Sequence, residues 1–157
     1  MNEYENNFYL LRKQIKTSNP DYWLSLHSIF PQFKLCWNNI RDLFDVYIIT
    51  MKDTKSVLDL LDYNDIDFPA NKVLGDMHYK GNNNKSKSII NIARSSNITT
   101  DDIYFVDDNI FQLTEVFKTG SNCFFALWGY CDPNTNKLQL DIKSINNLDE
   151  LIPYTNN

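Results

Sequence analysis

The chain has 157 residues, 15 Lys and Arg against 20 Asp and Glu, and a formal net charge of −5. That length suits one domain with a genuine core, and the acidic balance excludes a surface built to track nucleic-acid phosphates. No apolar run approaches a membrane span and Met1-Asn2-Glu3 opens no basic-then-apolar leader, so the expectation is a cytoplasmic protein engaging neither membrane nor nucleic acid.

Residues 1–44 read as helical and rich in aromatics. Tyr4, Phe8, Leu11 and Ile15 fall at helical spacing, and so do Tyr22, Trp23, Leu26 and Phe30 before Pro31 stops the run. Cys36, Trp37, Ile40 and Phe44 predict a third helix. From residue 45 onward strand and helix alternate. Val46–Thr50 is a β-branched and aromatic strand, followed by a helix capped by Asp53 or Thr54 that carries Val57, Leu58 and Leu61. Lys72-Val73-Leu74 is a short strand closed by Gly75. Ser86 or Lys87 opens a helix with Ile89, Ile90, Ile92 and Ala93 on its apolar side. Residues 103–107 form the next strand, Asn109 caps a helix bearing Phe111, Leu113, Val116 and Phe117, and 123–127 is a further strand. A short helix near Leu148–Ile152 ends the pattern. Repeated β-α-β units of this length imply an α/β fold, a parallel Rossmann-like sheet covered by helices. Cys36, Cys123 and Cys131 form no C-x-x-C pair, and His27 and His78 stand apart from them. Reduced thiols fit this spacing and a zinc site does not.

The chemistry concentrates at Phe105-Val106-Asp107-Asp108-Asn109, a buried-type strand ending in two adjacent carboxylates. Ligands of open α/β sheets bind beyond the carboxyl ends of strands, and neighbouring carboxylates repel unless they share a proton or a cation. Mg²⁺, hard and oxygen-seeking, suits such a pair, although an Asp-Asp-Asn turn also serves simply to start a helix. Thr50 ends the strand 46–50, where its hydroxyl and the following N–H, that of Met51, suit a phosphate oxygen. Lys85 begins a helix that runs back from the end at which strand 103–107 finishes, within reach of the carboxylates. There it can neutralise a phosphate. The ordinary role of each is a turn threonine and a solvated lysine.

In order and spacing, the strand ending Thr50, the helix starting at Lys85-Ser86-Lys87-Ser88 and the strand ending Asp107-Asp108 resemble the second, third and fourth motifs of the haloacid dehalogenase (HAD) superfamily. The resemblance covers about residues 45–152 and takes in Phe125-Ala126-Leu127-Trp128-Gly129-Tyr130. It implies a Mg²⁺-dependent phosphohydrolase acting on a small phosphorylated substrate through an aspartyl-phosphate. Thr50, with Met51, would bind the phosphoryl group, and Lys85 would offset negative charge, with Lys87 a weaker substitute. Asp107 and Asp108 would hold Mg²⁺, Asp108 being the surer ligand. It also implies that residues 1–44 are a helical cap remnant and connector beside an α/β core at 45–157.

The family's first motif, a central strand ending Asp-x-Asp that carries the nucleophile, has no counterpart before Val46. This chain therefore offers no nucleophile of its own. Loss of that strand would leave a slot roughly 9–10 Å wide between strands 46–50 and 103–107, with unpaired backbone on both walls. Either the strand is encoded ahead of Met1, or another polypeptide or second subunit supplies it, or the sheet has rearranged in an inactive relative. The last would bind a phosphorylated ligand or a protein partner. A receiver-like or flavodoxin-like domain fits less well, because receivers place their acidic pair early and their lysine late.

Overall fold

The computed structural model describes residues 3–75, 85–130 and 141–156; Cys131 and His78 lie outside them. The fold is mixed α/β, and every strand pair is parallel.

Three helices come first. α1 spans Glu3–Ser18, α2 Pro20–Ser25 and α3 Pro31–Leu43. α2 is shorter than the spacing of Tyr22, Trp23, Leu26 and Phe30 predicts. Its end is held by the His27 ring, whose Nδ1 lies 2.8 Å from the Trp23 carbonyl oxygen. Pro31 does not stop a helix; it occupies the first turn of α3, where its missing N–H costs nothing.

β1 (Ile48–Ile49) and β2 (Val73–Leu74) pair with each other, connected by α4 (Thr54–Tyr63). Asp53 caps α4 as expected, accepting from the Ser56 N–H at 2.8 Å and the Ser56 hydroxyl at 2.5 Å. Gly75 passes so close beneath the Lys52–Thr54 backbone that a side chain there would overlap it. α5 (Ser86–Ser96) ends at Asn97, which takes the left-handed conformation (φ +55°) while the Ile98 N–H returns to the Ala93 carbonyl.

β3 (Tyr104–Asp107), β4 (Asn122–Ala126) and β5 (Lys143–Ile145) form a second sheet with β4 in the middle. α6 (Ile110–Phe117) lies between β3 and β4 in the chain. Asn109 caps it, accepting from the Phe111 and Gln112 N–H groups. β5 was not expected. Its three residues pair in register with Phe124, Phe125 and Ala126. The chain closes in a 3₁₀ segment over 148–156.

Two apolar clusters cover the two faces. One gathers Cys36, Trp37 and Ile40 of α3 with Val73, Phe124, Leu148 and Leu151, and both Ile48 and Val106 pack against it. α3 thus belongs to the main core. The other gathers Ile89, Phe105, Leu113, Val116, Cys123 and Phe125, with Ile49 packed against it. Each cluster therefore touches both sheets, and alternate residues of β1 and β3 face the same two layers. The two half-sheets share the same two covering clusters, an arrangement compatible with a Rossmann-like fold, and among the described residues no ladder joins β1 to β3.

Candidate functional site

Between the half-sheets lies a cavity of about 900 Å³. Its walls are Val46–Thr50 on one side and Ile103–Asp108 on the other. Ile89 and Ile92 border it from α5, Ile40 and Leu148 from elsewhere. Thr50, Lys85, Asp107 and Asp108 all line it. Four residues from three elements therefore converge as their order predicted. Met51 does not line the cavity and is 48 % exposed beyond it. Lys87 is exposed on α5 and is also absent from the lining.

Lys85 Nζ lies 2.6 Å from Asp107 Oδ2, their side chains 14 % and 7 % exposed. The other Asp107 oxygen accepts the Asn109 N–H at 2.8 Å, so both are engaged. Asp108 is held differently. Its Oδ2 accepts the Tyr130 N–H at 2.6 Å, and it packs so tightly on Gly129 that any side chain at 129 would overlap the carboxylate. Asp108 Oδ1 has no hydrogen-bond partner among the described residues. Thr50 Oγ1 accepts the Lys52 N–H at 3.1 Å, the turn role open to any strand-end threonine, and keeps its own proton to donate.

Lys52 was not foreseen as a site residue. It lines the cavity beyond Thr50 and stands over the buried Trp23 ring at 5.8 Å, with Lys16 at 5.0 Å from the same ring. Burial holds its pKa below the usual lysine range, Arg12 and Lys16 push it the same way, and Asp53 opposes them. Lys16 also bonds the Ser56 hydroxyl at 2.7 Å, tying α1 to the start of α4. No signal in the sequence places Arg12 or Lys16 beside Lys52, because α1 brings them there from far along the chain.

Asp108 Oδ1 and the Thr50 hydroxyl are hard oxygen donors of the type Mg²⁺ takes, but six oxygens are needed. Among the described residues there is no group of three His, Cys, Asp or Glu able to hold a metal. Two carboxylates, one already bound to Lys85, make a partial site that water or another carboxylate must complete. Asp65-Ile66-Asp67 is the chain's own Asp-x-Asp, but it lies in the turn after α4, with Asp65 at φ +58°, and does not line the cavity. No helix among the described residues is long and apolar enough to cross a membrane. Comparison with known proteins returned no matching family model, no matching curated protein and no matching solved structure.

Proposed function

We propose that this chain is the larger part of a HAD-type, Mg²⁺-dependent phosphohydrolase for a small phosphorylated substrate, with the nucleophilic carboxylate supplied from outside residues 1–157. The observation that carries the reading is the convergence on one cavity of Thr50, Lys85, Asp107 and Asp108 from the end of one strand, the start of a helix and the end of another strand. The Thr50 hydroxyl donates to a phosphoryl oxygen. Lys85, held by Asp107, and the half-buried Lys52 offset its charge. Asp108, clamped by Gly129 and the Tyr130 N–H, presents its free oxygen to Mg²⁺, with Asp107 the second ligand. The bound ion would neutralise charge developing on the phosphoryl oxygens.

The test is calorimetric titration of Mg²⁺ into the folded chain and into Asp108→Asn. Binding is expected in the wild type and lost in the variant, and equal affinity in both would sink the metal assignment. The chain alone is expected to leave a generic aryl phosphate unhydrolysed; robust turnover would mean that a nucleophile lies within it. The closed Lys85–Asp107 pair favours a second reading, an inactive relative that only binds a phosphorylated ligand. Phosphate binding without any Mg²⁺ dependence would select that one.

A further inference from the structure

A second group of cations stands beside Thr50, on the side away from Lys85. The Lys52 N–H donates to Thr50 Oγ1 at 3.1 Å, and the Lys52 ammonium stands 5.8 Å from the centre of the Trp23 ring. Lys16 stands 5.0 Å from the same ring, and Arg12 lies one turn earlier on the same face of α1. Too few carboxylates balance them. Asp53 engages Lys16 at 3.6 Å but turns both oxygens to Ser56, at 2.8 and 2.5 Å. Asp59 is divided between Lys16 at 3.5 Å and Lys55 at 2.7 Å. Among the described residues the Lys52 ammonium has no hydrogen bond or ion pair. The buried donors Arg12 Nη2 and Trp23 Nε1 likewise have no acceptor. Unpaired buried donors cost stability unless something outside the chain satisfies them.

We infer that Arg12, Lys16 and Lys52, gathered around Trp23, form a second oxyanion subsite, which takes the distal carboxylate or phosphate of a ligand whose first anion sits at Thr50. The donor set selects the chemistry. Guanidinium, ammonium and indole groups donate and do not accept, so the group that completes them is a negative acceptor. Burial strengthens the attraction, because Trp23 is 2 % exposed and keeps water from one side of the cations. Lys16 is already fixed by its 2.7 Å bond to the Ser56 hydroxyl, so one cation is in place before any ligand arrives. Position selects a group on the same ligand, since Lys52 lines the cavity that Thr50 lines and only Met51 separates them in the chain. The ligand is therefore a small molecule with two anionic groups, a bisphosphate or a phosphorylated acid. This deepens the phosphohydrolase reading and rests on it only for what sits at Thr50.

The first probe is inorganic phosphate, titrated without Mg²⁺ into the whole chain and read by NMR at the tryptophan indole N–H groups. The Trp23 resonance is expected to shift saturably, that of Trp37 to stay, and chloride at equal ionic strength to move neither. Arg12→Gln is expected to weaken the Trp23 response about tenfold, and Arg12→Lys to recover part of it. A still Trp23 resonance, or a response that Arg12→Gln leaves intact, would overturn the subsite. So would failure of Arg12→Lys to recover any of it, which would trace the loss to the packing of α1. The second probes are propylphosphonate and the methylene-, ethylene- and propylene-bisphosphonates, compared by calorimetry. At least one bisphosphonate is expected to bind about tenfold more tightly than propylphosphonate. Thr50→Val is expected to remove that advantage while keeping the Trp23 response to phosphate. No advantage in the wild type would leave a site for a free anion and overturn the two-anion ligand. Loss of the Trp23 response in Thr50→Val would mean one anion site, not two. Both titrations omit Mg²⁺, so their outcome stands apart from the Mg²⁺ test of Asp108→Asn.

Discussion

The two half-sheets differ in how they are held. The β3–β4–β5 half rests on side chains wholly withdrawn from water: Leu113 and Val116 of α6 are 0 % exposed, and Cys123 to Ala126 are buried in succession. The β1–β2 half consists of two strands of two residues each, and Ile48 and Ile49 are only half-buried because one flank opens on the cavity. The site joins them, taking its carboxylates from the stiffer half and its hydroxyl from the thinner one. Filling the gap would therefore change the Thr50 side more than the Asp107 side.

Unfolding in urea gives the broadest test of this contrast. Leu113→Ala is expected to cost about 4 kcal/mol, since a fully buried leucine leaves a cavity that its neighbours cannot fill. Ile48→Ala is expected to cost about half as much, because water already approaches that site. Equal losses would erase the difference between the halves. Next comes the pair that closes the carboxylate side. Lys85→Met is expected to cost about 3 kcal/mol by stranding a nearly buried Asp107, and Lys85→Met with Asp107→Leu is expected to regain part of it. A double variant no more stable than the single one would deny the pair that role.

The smallest effect falls on the thinner half. Asp53→Ala is expected to cost about 1 kcal/mol through loss of the α4 cap. Burial by itself raises the Asp53 pKa, but the two Ser56 donors, then Lys16 and Arg12, outweigh it and leave the carboxyl below its usual range. Its stabilisation is therefore complete above the unfolded aspartate value, about pH 4, and is lost as pH falls through the lower folded value. Asp53→Asn should flatten the acid limb of the stability curve below about pH 4. An unchanged limb would show that other carboxylates control it.

Much of this layout was legible because it depends on local patterns. The Asp53 and Asn109 caps, the strand ends and the approach of Lys85 to Asp107 follow from helix and strand periods and from one crossover connection. The alternation of strand and helix from residue 45 onward gives the mixed α/β class and its parallel pairing. What escaped depends on partners distant in sequence. β5 is a three-residue edge strand with Lys143 and Ser144 exposed, so it shows no apolar run, and its identity comes from pairing with β4. Trp37 reads as a cap-helix residue until Phe68 and Phe33 are found against its ring. Lys52 looks solvated until Trp23 and α1 cover it.

Each apolar cluster contains one free thiol, Cys36 on one face and Cys123 on the other. Burial raises the pKa of both, that of Cys123 to about 12, so neither carries appreciable thiolate at neutral pH. An alkylating reagent can modify them only as fast as the surrounding packing opens. The described residues thus carry two internal clocks, one per face.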